Sequence, residues 1–354
     1  MKIYLPFVLL MLAGLCVHAQ PNKEKAMSNV HQALYLQNQG KNDEALKLLE
    51  EAVKLDDETF EVSYELAVGY YMKGQYQQAL DILKKIKDNK QATPKAYQLL
   101  GNCYDKLSDV ERSVDAYVQG IGKFPNAGEL YLEMGSMFLA RKEHNPAIVW
   151  YEKGIEKDPA FVSNYYWIAK IFCNSNDPIW GMIYGEIFMI LERDTKRTEE
   201  ISKLLYDNYV KRITPAGDGN FKINFGIPLP DSIRFKKVSF TKGVYEPLLM
   251  VPLMHEKTID LESLCRIRKY FIDAYIKNNY YQNFPNALFD YQYRVLKAGF
   301  INEYNHYILY DGNIPQSEKW ITQNKKKWDS FMIWFRKNTL PLDTNYRFIR
   351  QQYF

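Results

Sequence analysis

Residues 64-YELAVGYYMKGQYQQALDIL-83 and 97-YQLLGNCYDKLSDVERSVDAY-117 decide the fold of this chain. They share a step of 34 residues: Ala67 answers to Gly101, Tyr70 to Tyr104, Ala79 to Ser113 and Leu83 to Tyr117. The step continues on both sides. Small residues recur at Ala33, Ala67, Gly101, Gly135 and Ala169, and again at Ala45, Ala79, Ser113, Ala147 and Gly181. A third ladder is bulky: Leu36, Tyr70, Tyr104, Phe138 and Phe172. A fourth runs Leu49, Leu83, Tyr117 and Tyr151 and lapses at Gly185. A fixed period of this length marks stacked units, none of which buries its apolar face alone. Each unit is expected to be a pair of helices, close where the residues are small, with the large ones filling the space between pairs. Gly40 and Gly74 mark equivalent turns, and Pro125 and Pro159 close units three and four.

These stretches, together with 131-YLEMGSMFLARKEHNPAIVWYEKGIEKDP-159, resemble the tetratricopeptide repeat family, as found among proteins of the Gram-negative envelope. Five repeats cover roughly 26–194. Repeat two ends without its proline, at Gln91, and repeat five carries Pro178 and Gly181 in its second-helix region, which puts that pairing in question. Segment 198–212 reads as a polar-faced capping helix. The resemblance implies a mainly α solenoid, a right-handed superhelix whose first helices line a concave groove. Carried over position by position, the lining is Tyr64, Tyr71, Gln98, Asn102, Lys106, Tyr166, Lys170 and Asn174. Asn102, Lys106 and Asn174 suit a peptide backbone or a carboxylate. The plain alternative is a solvated inner face. Leu132, Leu139 and Ala140 interrupt the lining, so part of the groove could pack against the C-terminal half.

A chain of 354 residues suggests about two domains, and 47% hydrophobic with 25% charged residues excludes disorder as the default. Lys2, the apolar run 3-IYLPFVLLMLAGL-15 and the small-residue site 17-VHA-19 read as a secretory signal cleaved after Ala19. That run is too short to span about 30 Å of hydrocarbon, and no later run is longer. A lipoprotein anchor through Cys16 is the rival, disfavoured by Leu15 before it. Cleavage leaves Cys103, Cys173 and Cys265, without a CxxC, and buried free thiols are expected. The expected divisions are a signal at 1–19, a solenoid at 20–194, a cap at 195–214 and a mostly helical, aromatic-rich domain at 215–354.

Beyond Pro215 the texture changes. Segment 215-PAGDGNFKINFGIPLPD-231 reads as a linker, 233-IRFKKVSF-240 as a strand or extended piece, and 245-YEPLLMVPLMHEK-257 as unsuited to one helix because of its prolines. Helices are expected over 260–279, 286–299, 301–310 and 315–338, then an irregular tail. Residues 211–354 hold 22 basic and 13 acidic residues, net +9, against −5 for the remainder. Such asymmetry suits an anionic glycan, a lipid headgroup or self-association, while an export signal argues against nucleic acid. Lys325, Lys326 and Lys327 are expected on a solvated face.

Chemistry is sparse. The stretch 255-HEKTI-259 lacks the second histidine of a zinc motif, and there is no G-x-S-x-G, P-loop or complete dinucleotide fingerprint. No catalytic residue, metal or cofactor is therefore expected. The sole Glu-x-x-His, Glu303 and His306 in 298-AGFINEYNHYILYDG-312, is the one C-terminal site candidate, or else part of a packing helix. The leading reading is a non-catalytic protein–protein interaction scaffold or adaptor of the bacterial envelope, holding a peptide or partner segment in the groove. The alternatives are a hydrolase in 215–354 with the repeats as docking arm, and a glycan- or headgroup-binding protein.

Overall fold

The computed structural model describes residues 7–227 and 239–353. The strand expected at 233–240 lies, up to Val238, outside the described residues, as does the start of the expected signal, 1–6. The chain divides into two compact units, Met1–Met134 and Gly135–Phe354. This division falls inside the repeat array, between the third and fourth ladder steps.

The first unit holds helices α1 (Phe7–Asn38), α2 (Asn42–Leu55), α3 (Phe60–Met72), α4 (Tyr76–Ile86), α5 (Pro94–Lys106) and α6 (Val110–Lys123), followed by the start of α7 (Gly128–Ala140). They pack as α1 with α2, α3 with α4 and α5 with α6. The ladder residues are the core: Ala33, Ala45 and Leu49 share one buried cluster, and Ala67, Ala79 and Leu83 the next.

One turn geometry repeats at the 34-residue step. Backbone N–H groups of Lys41, Gln75, Asp109 and Glu143 donate to the carbonyls of Leu36, Tyr70, Tyr104 and Phe138, at 3.0, 2.9, 2.8 and 3.0 Å. The preceding residue of each turn is left-handed: Gly40 (φ 75°), Gly74 (73°), Ser108 (61°) and Lys142 (62°). This is a Schellman helix end, which satisfies carbonyls the helix leaves orphaned. Only its first two copies carry the glycine that marks it in sequence.

The small ladder has a steric reason. A Cβ placed on Gly101 would lie 2.2 Å from the Tyr117 ring. In the second unit, one on Gly135 would lie 2.3 Å from the Tyr151 ring, and the Cβ atoms at Gly185 and Ala169 would stand 3.3 Å apart. Residues sixteen apart thus share one space: Ala33 and Leu49, Ala67 and Leu83, Gly101 and Tyr117, Gly135 and Tyr151, Ala169 and Gly185. Where the later residue grows from Leu to Tyr, the earlier shrinks from Ala to Gly.

The second unit continues through α7 and adds α8 (His144–Lys157), α9 (Ser163–Cys173), α10 (Pro178–Leu191) and α11 (Lys196–Arg212). The pairing questioned for repeat five forms: α9 and α10 pack closely. Pro178 sits in the first turn of α10, where its missing N–H costs nothing. A Cβ at Gly181 would meet the backbone of α9, 2.5 Å from the Cys173 nitrogen. Helix α10 is apolar on every face and is buried from Pro178 to Ile190.

The expected linker is a β-hairpin, β1 (Ile213–Gly217) and β2 (Asn220–Ile223), with Ile213 opposite Ile223 and Gly217 opposite Asn220. Asp218 (φ 51°) and Gly219 (φ 76°) form its two-residue turn, the Asp-Gly pair that such turns favour. A π-turn at Thr241–Tyr245 leads into α12 (Glu246–Leu253). Contrary to expectation, both prolines of that stretch lie in one helix: Pro247 in its first turn and Pro252 near its end. Then come α13 (Leu261–Lys277), α14 (Ala287–Lys297), α15 (Ile301–Ile308), α16 (Ile314–Gln323) and α17 (Lys325–Lys337). Asp260 and Asn286 cap α13 and α14 with their side chains. The single helix expected over 315–338 is broken at Asn324, whose amide turns back onto the Trp320 carbonyl (2.9 Å). Cys103, Cys173 and Cys265 are free and buried. Among the described residues no helix is long and apolar enough to cross a membrane.

Replacing Gly101 by Ala should destabilise the protein by about 1–3 kcal/mol through overpacking against Tyr117. Combined with Tyr117→Leu, which recreates the Ala67–Leu83 pairing, it should cost less than the two single changes added together, by about 1 kcal/mol or more. Urea unfolding of the four proteins measures this coupling, and simple additivity would refute the shared-space reading.

Candidate functional site

In the first unit the expected lining comes from α3 and α5. Tyr64 is half-buried and stacks on Phe60 (centroids 5.7 Å apart, planes at 13°). Burial pushes its hydroxyl up to about 12. Tyr71 is half-buried against Tyr76, with centroids 5.3 Å apart. Gln98 Nε2 donates to Glu133 Oε1 at 2.7 Å, and Tyr117 donates its hydroxyl to Asn102 Oδ1 at 2.5 Å. Asn102 therefore keeps its amide nitrogen as the group that can donate outward. Lys106 is exposed.

This face is acidic, which the lining positions alone did not reveal. Burial raises the Glu133 carboxyl above its ordinary range; the Gln98 bond opposes this and Asp105 adds to it. Burial likewise raises Glu65, with Glu61 adding and Lys95 opposing. Tyr71 and Tyr117 both feel the charges of Glu133 and Asp105, so these four groups are neighbours. Among the described residues neither Glu133 nor Asp105 is in an ion pair. An electronegative, tyrosine-rich face suits a basic segment better than a carboxylate. Glu133 is one residue past Leu132, the 34-step partner of Gln98, and so fell outside the carried-over positions.

In the second unit, Tyr166 on α9 is buried and donates to Glu200 Oε2 of α11 (2.5 Å). Lys170 Nζ lies 2.6 Å from Glu200 Oε1 and 3.1 Å from the Tyr166 hydroxyl. These two positions are engaged by the capping helix. Asn174 is exposed and donates to the Lys170 carbonyl (2.8 Å).

Glu303 and His306 are both 1% exposed and each faces a different neighbour. Lys327 Nζ reaches Glu303 Oε1 at 3.2 Å, so one lysine of the trio expected in solvent turns to a buried carboxylate. His306 stacks on Trp320, centroids 3.8 Å apart at 18°, with Glu262 Oε1 3.8 Å from its Nε2. Burial lowers its pKa to about 4. Neither bonded to a backbone carbonyl nor opening onto a cleft beside Asn305, the imidazole is a neutral packing partner. Asn305 instead accepts from Arg268 (2.8 Å) and donates to the Cys265 carbonyl (3.2 Å). Among the described residues no group of three His, Cys, Asp or Glu could hold a metal ion.

Two polar centres of this unit carried little sequence signal. Glu186, the only charge in α10, accepts from Arg268 Nη2 (2.6 Å), Gln292 Nε2 (2.6 Å) and the Tyr304 hydroxyl (2.7 Å). Arg268 also donates to the Tyr209 hydroxyl (2.9 Å), which lies 3.1 Å from that of Tyr245. Burial opposes the charge of Arg268; Glu186 and the surrounding hydroxyls outweigh it and hold the guanidinium above its ordinary range. The adjoining cavity leaves only about 20 Å³ for the centre of a water-sized sphere, room for about one water. The second centre is Glu152 on α8, 2% exposed, which accepts from Tyr184 (2.8 Å), Arg350 (3.3 Å) and Gln351 and so anchors the C-terminal tail. A lone Glu in an apolar helix was the one available clue to the first centre.

Comparison with known proteins agrees with the repeat geometry. Residues 36–103 match the tetratricopeptide repeat family. A TPR repeat-containing protein of Bacillus subtilis (strain 168), YpiA, is 25% identical over 139 residues, 39% of this chain and 32% of that protein. The matched region thus spans about a third of its relative's length. Among solved structures, that of MamA is similar at 23% identity, covering 43% of this chain and 89% of its own, with a TM-score of 0.35. TTC0263, a thermophilic TPR protein of Thermus thermophilus, is similar at 16% identity, covering 51% and 98%, with a TM-score of 0.43. The chain carries tetratricopeptide repeats.

Glu186→Gln should destabilise the protein by about 3–5 kcal/mol, because it leaves Arg268 charged, buried and unpaired. Glu186→Leu with Arg268→Met should recover most of that loss in urea unfolding at neutral pH. The sign for His306 is opposite to that of a salt-bridged histidine. Its folded pKa lies below the unfolded value of 6.5, so folding favours the neutral ring. Stability should be full above pH 6.5 and fall as the pH drops toward 4, by at most about 3 kcal/mol. His306→Phe should flatten that window in unfolding curves taken between pH 7 and 4.

Proposed function

We propose that this tetratricopeptide-repeat protein is a non-catalytic interaction scaffold whose first-helix face on α3, α5 and the start of α7 holds a basic segment of a partner protein. The observation that carries this reading is the half-buried Glu133 with the exposed Asp105, neither in an ion pair among the described residues, beside Tyr71, Tyr117 and Asn102. A lysine or arginine side chain would neutralise the acids, the tyrosine rings would cover its stem, and the Asn102 amide would donate to the segment's backbone. Tyr64, Gln98 and Lys106 extend the same face, Gln98 by orienting Glu133. In the second unit Asn174 is the position that remains available, since Tyr166 and Lys170 are bonded to Glu200. Export is part of this proposal, with the periplasm or the exterior as the place of action. Its support is Lys2, the apolar run 3–15 and the small-residue site ending at Ala19.

A photo-crosslinking residue at Lys106 should capture a partner from cell extract, whereas one at Gln119, exposed on the second helix of the same repeat, should not. Glu133→Gln with Asp105→Asn should lower the yield several-fold, and so should added salt. Equal capture from both positions, or capture indifferent to the acids, would refute a groove for a basic segment.

A further inference from the structure

The second unit contains a cavity that neither the repeats nor the tail accounts for. It leaves about 360 Å³ for the centres of water-sized spheres, within the range of small-molecule sites. Three aromatic residues line it, Tyr307, Tyr310 and Trp328, and so do three carboxylates, Asp194, Glu199 and Asp311. No lysine, arginine or histidine among the described residues does. Among the described residues none of the three carboxylates is in an ion pair. Arg193, beside Asp194 in sequence, does not line it: its guanidinium carbon lies 4.0 Å from the Phe335 ring centroid and its Nε donates to the Ile190 carbonyl (3.1 Å), although its charge is felt by Tyr307. The hydroxyls of Tyr307 and Tyr310 make no hydrogen bond with the described residues.

The wall is built, not incidental. A Cβ on Gly312 would lie 2.1 Å from the Tyr206 side chain, so the turn carrying Tyr310 and Asp311 is pressed onto α11, the helix of Glu199. The Asp311 backbone N–H donates to Ser202 Oγ of the same helix at 2.9 Å. Burial raises the Asp311 carboxyl above its ordinary range; a hydrogen bond with Ser202 opposes this, and the charge of Glu199 adds to it. A cation between the two would relieve that repulsion. A metal ion does not suit the place, because the described carboxylates nowhere converge as a group of three that could hold one. Aromatic faces attract ammonium and guanidinium groups by their quadrupole, and most strongly where water is displaced.

We infer that this cavity is a binding site for an organic cation, an alkylammonium or guanidinium group whose charge meets Asp311 and Glu199 and whose hydrocarbon lies against Tyr307, Tyr310 and Trp328. The cation could belong to a free amine or to a lysine or arginine side chain of a peptide. This goes beyond the scaffold reading and does not depend on it, since the groove acids lie in the other unit.

Isothermal titration of the full chain with butylammonium, butanol and butyrate tests the assignment. Butylammonium should bind, with the neutral and anionic analogues weaker by about ten-fold or more. Asp311→Asn with Glu199→Gln should weaken butylammonium by a similar factor while leaving the thermal unfolding midpoint near that of the parent. Equal binding of butanol, no binding of butylammonium to the folded protein, or a doubly neutralised variant that binds as the parent does would each overturn the site. Titrations with cadaverine and with a lysine dipeptide amide separate the sources: tighter binding of the diamine identifies a free amine, tighter binding of the dipeptide a peptide side chain, and either upholds the cation.

Discussion

The repeat array rests on one steric constraint. Two residues sixteen apart, one on each helix of a pair, share a single space, and their volumes are reciprocal. Where the second helix offers Tyr117 or Tyr151, the first must offer Gly101 or Gly135, because a Cβ there would lie within 2.3 Å of the ring. Where it offers Leu49 or Leu83, an alanine suffices. Close-packed interiors enforce this, since even one methylene is felt. The same constraint sets how nearly the two helices approach, and thereby which side chains of the first helix turn outward. Gln98 and Asn102 flank the buried run Leu99–Gly101, and they reach Glu133 and Tyr117 because that run is held against its partner.

The second unit satisfies burial differently. Helix α10 has no polar face to turn to water, so it becomes the centre around which α9, α11, α14 and the tail gather. Its one charge, Glu186, is tolerable only because Arg268, Gln292 and Tyr304 all reach it. Such a network adds little net stability over an apolar core and is costly when half-made. Its value lies in specificity: it accepts one mutual arrangement of α10, α13, α14 and α15. Glu152 does the same for the tail. These centres are filled by the protein's own side chains, which distinguishes them from the unpaired acids of the groove face and of the aromatic cavity.

Much of this was legible. The 34-residue ladders located the helix pairs and the glycine turns at 40 and 74; local helical spacing and end signals located the capping helix and the helices capped by Asp260 and Asn286. The sequence misled where one local signal had two structural answers. Asp218-Gly219 reads as loop and forms a hairpin turn. Pro247 and Pro252 read as helix breakers and sit toward the two ends of one short helix: Pro247 where no N–H is needed, Pro252 where the helix is about to stop. Asn324 has no signal strong enough to announce a break, yet its side chain stops the helix on the Trp320 carbonyl. The left-handed turns at Ser108 and Lys142 lack the glycine of their equivalents, and only the repeat phase could have placed them.

For the sites the division is sharper. The sequence by itself determined the repeat period, the helix pairs and the positions from which a groove would be lined, because all of these depend on contacts at short, fixed offsets along the chain. Tertiary structure alone decided which of those positions remain free, that Tyr166 and Lys170 are bonded to Glu200, and that Glu303 and His306 face Lys327 and Trp320 and not each other. It also decided the pairing of Arg268 with Glu186, 82 residues apart, and of Gln351 with Glu152, 199 apart. Charge complementarity acts through space, and a partner at such a separation leaves no periodic trace in the neighbourhood of either residue.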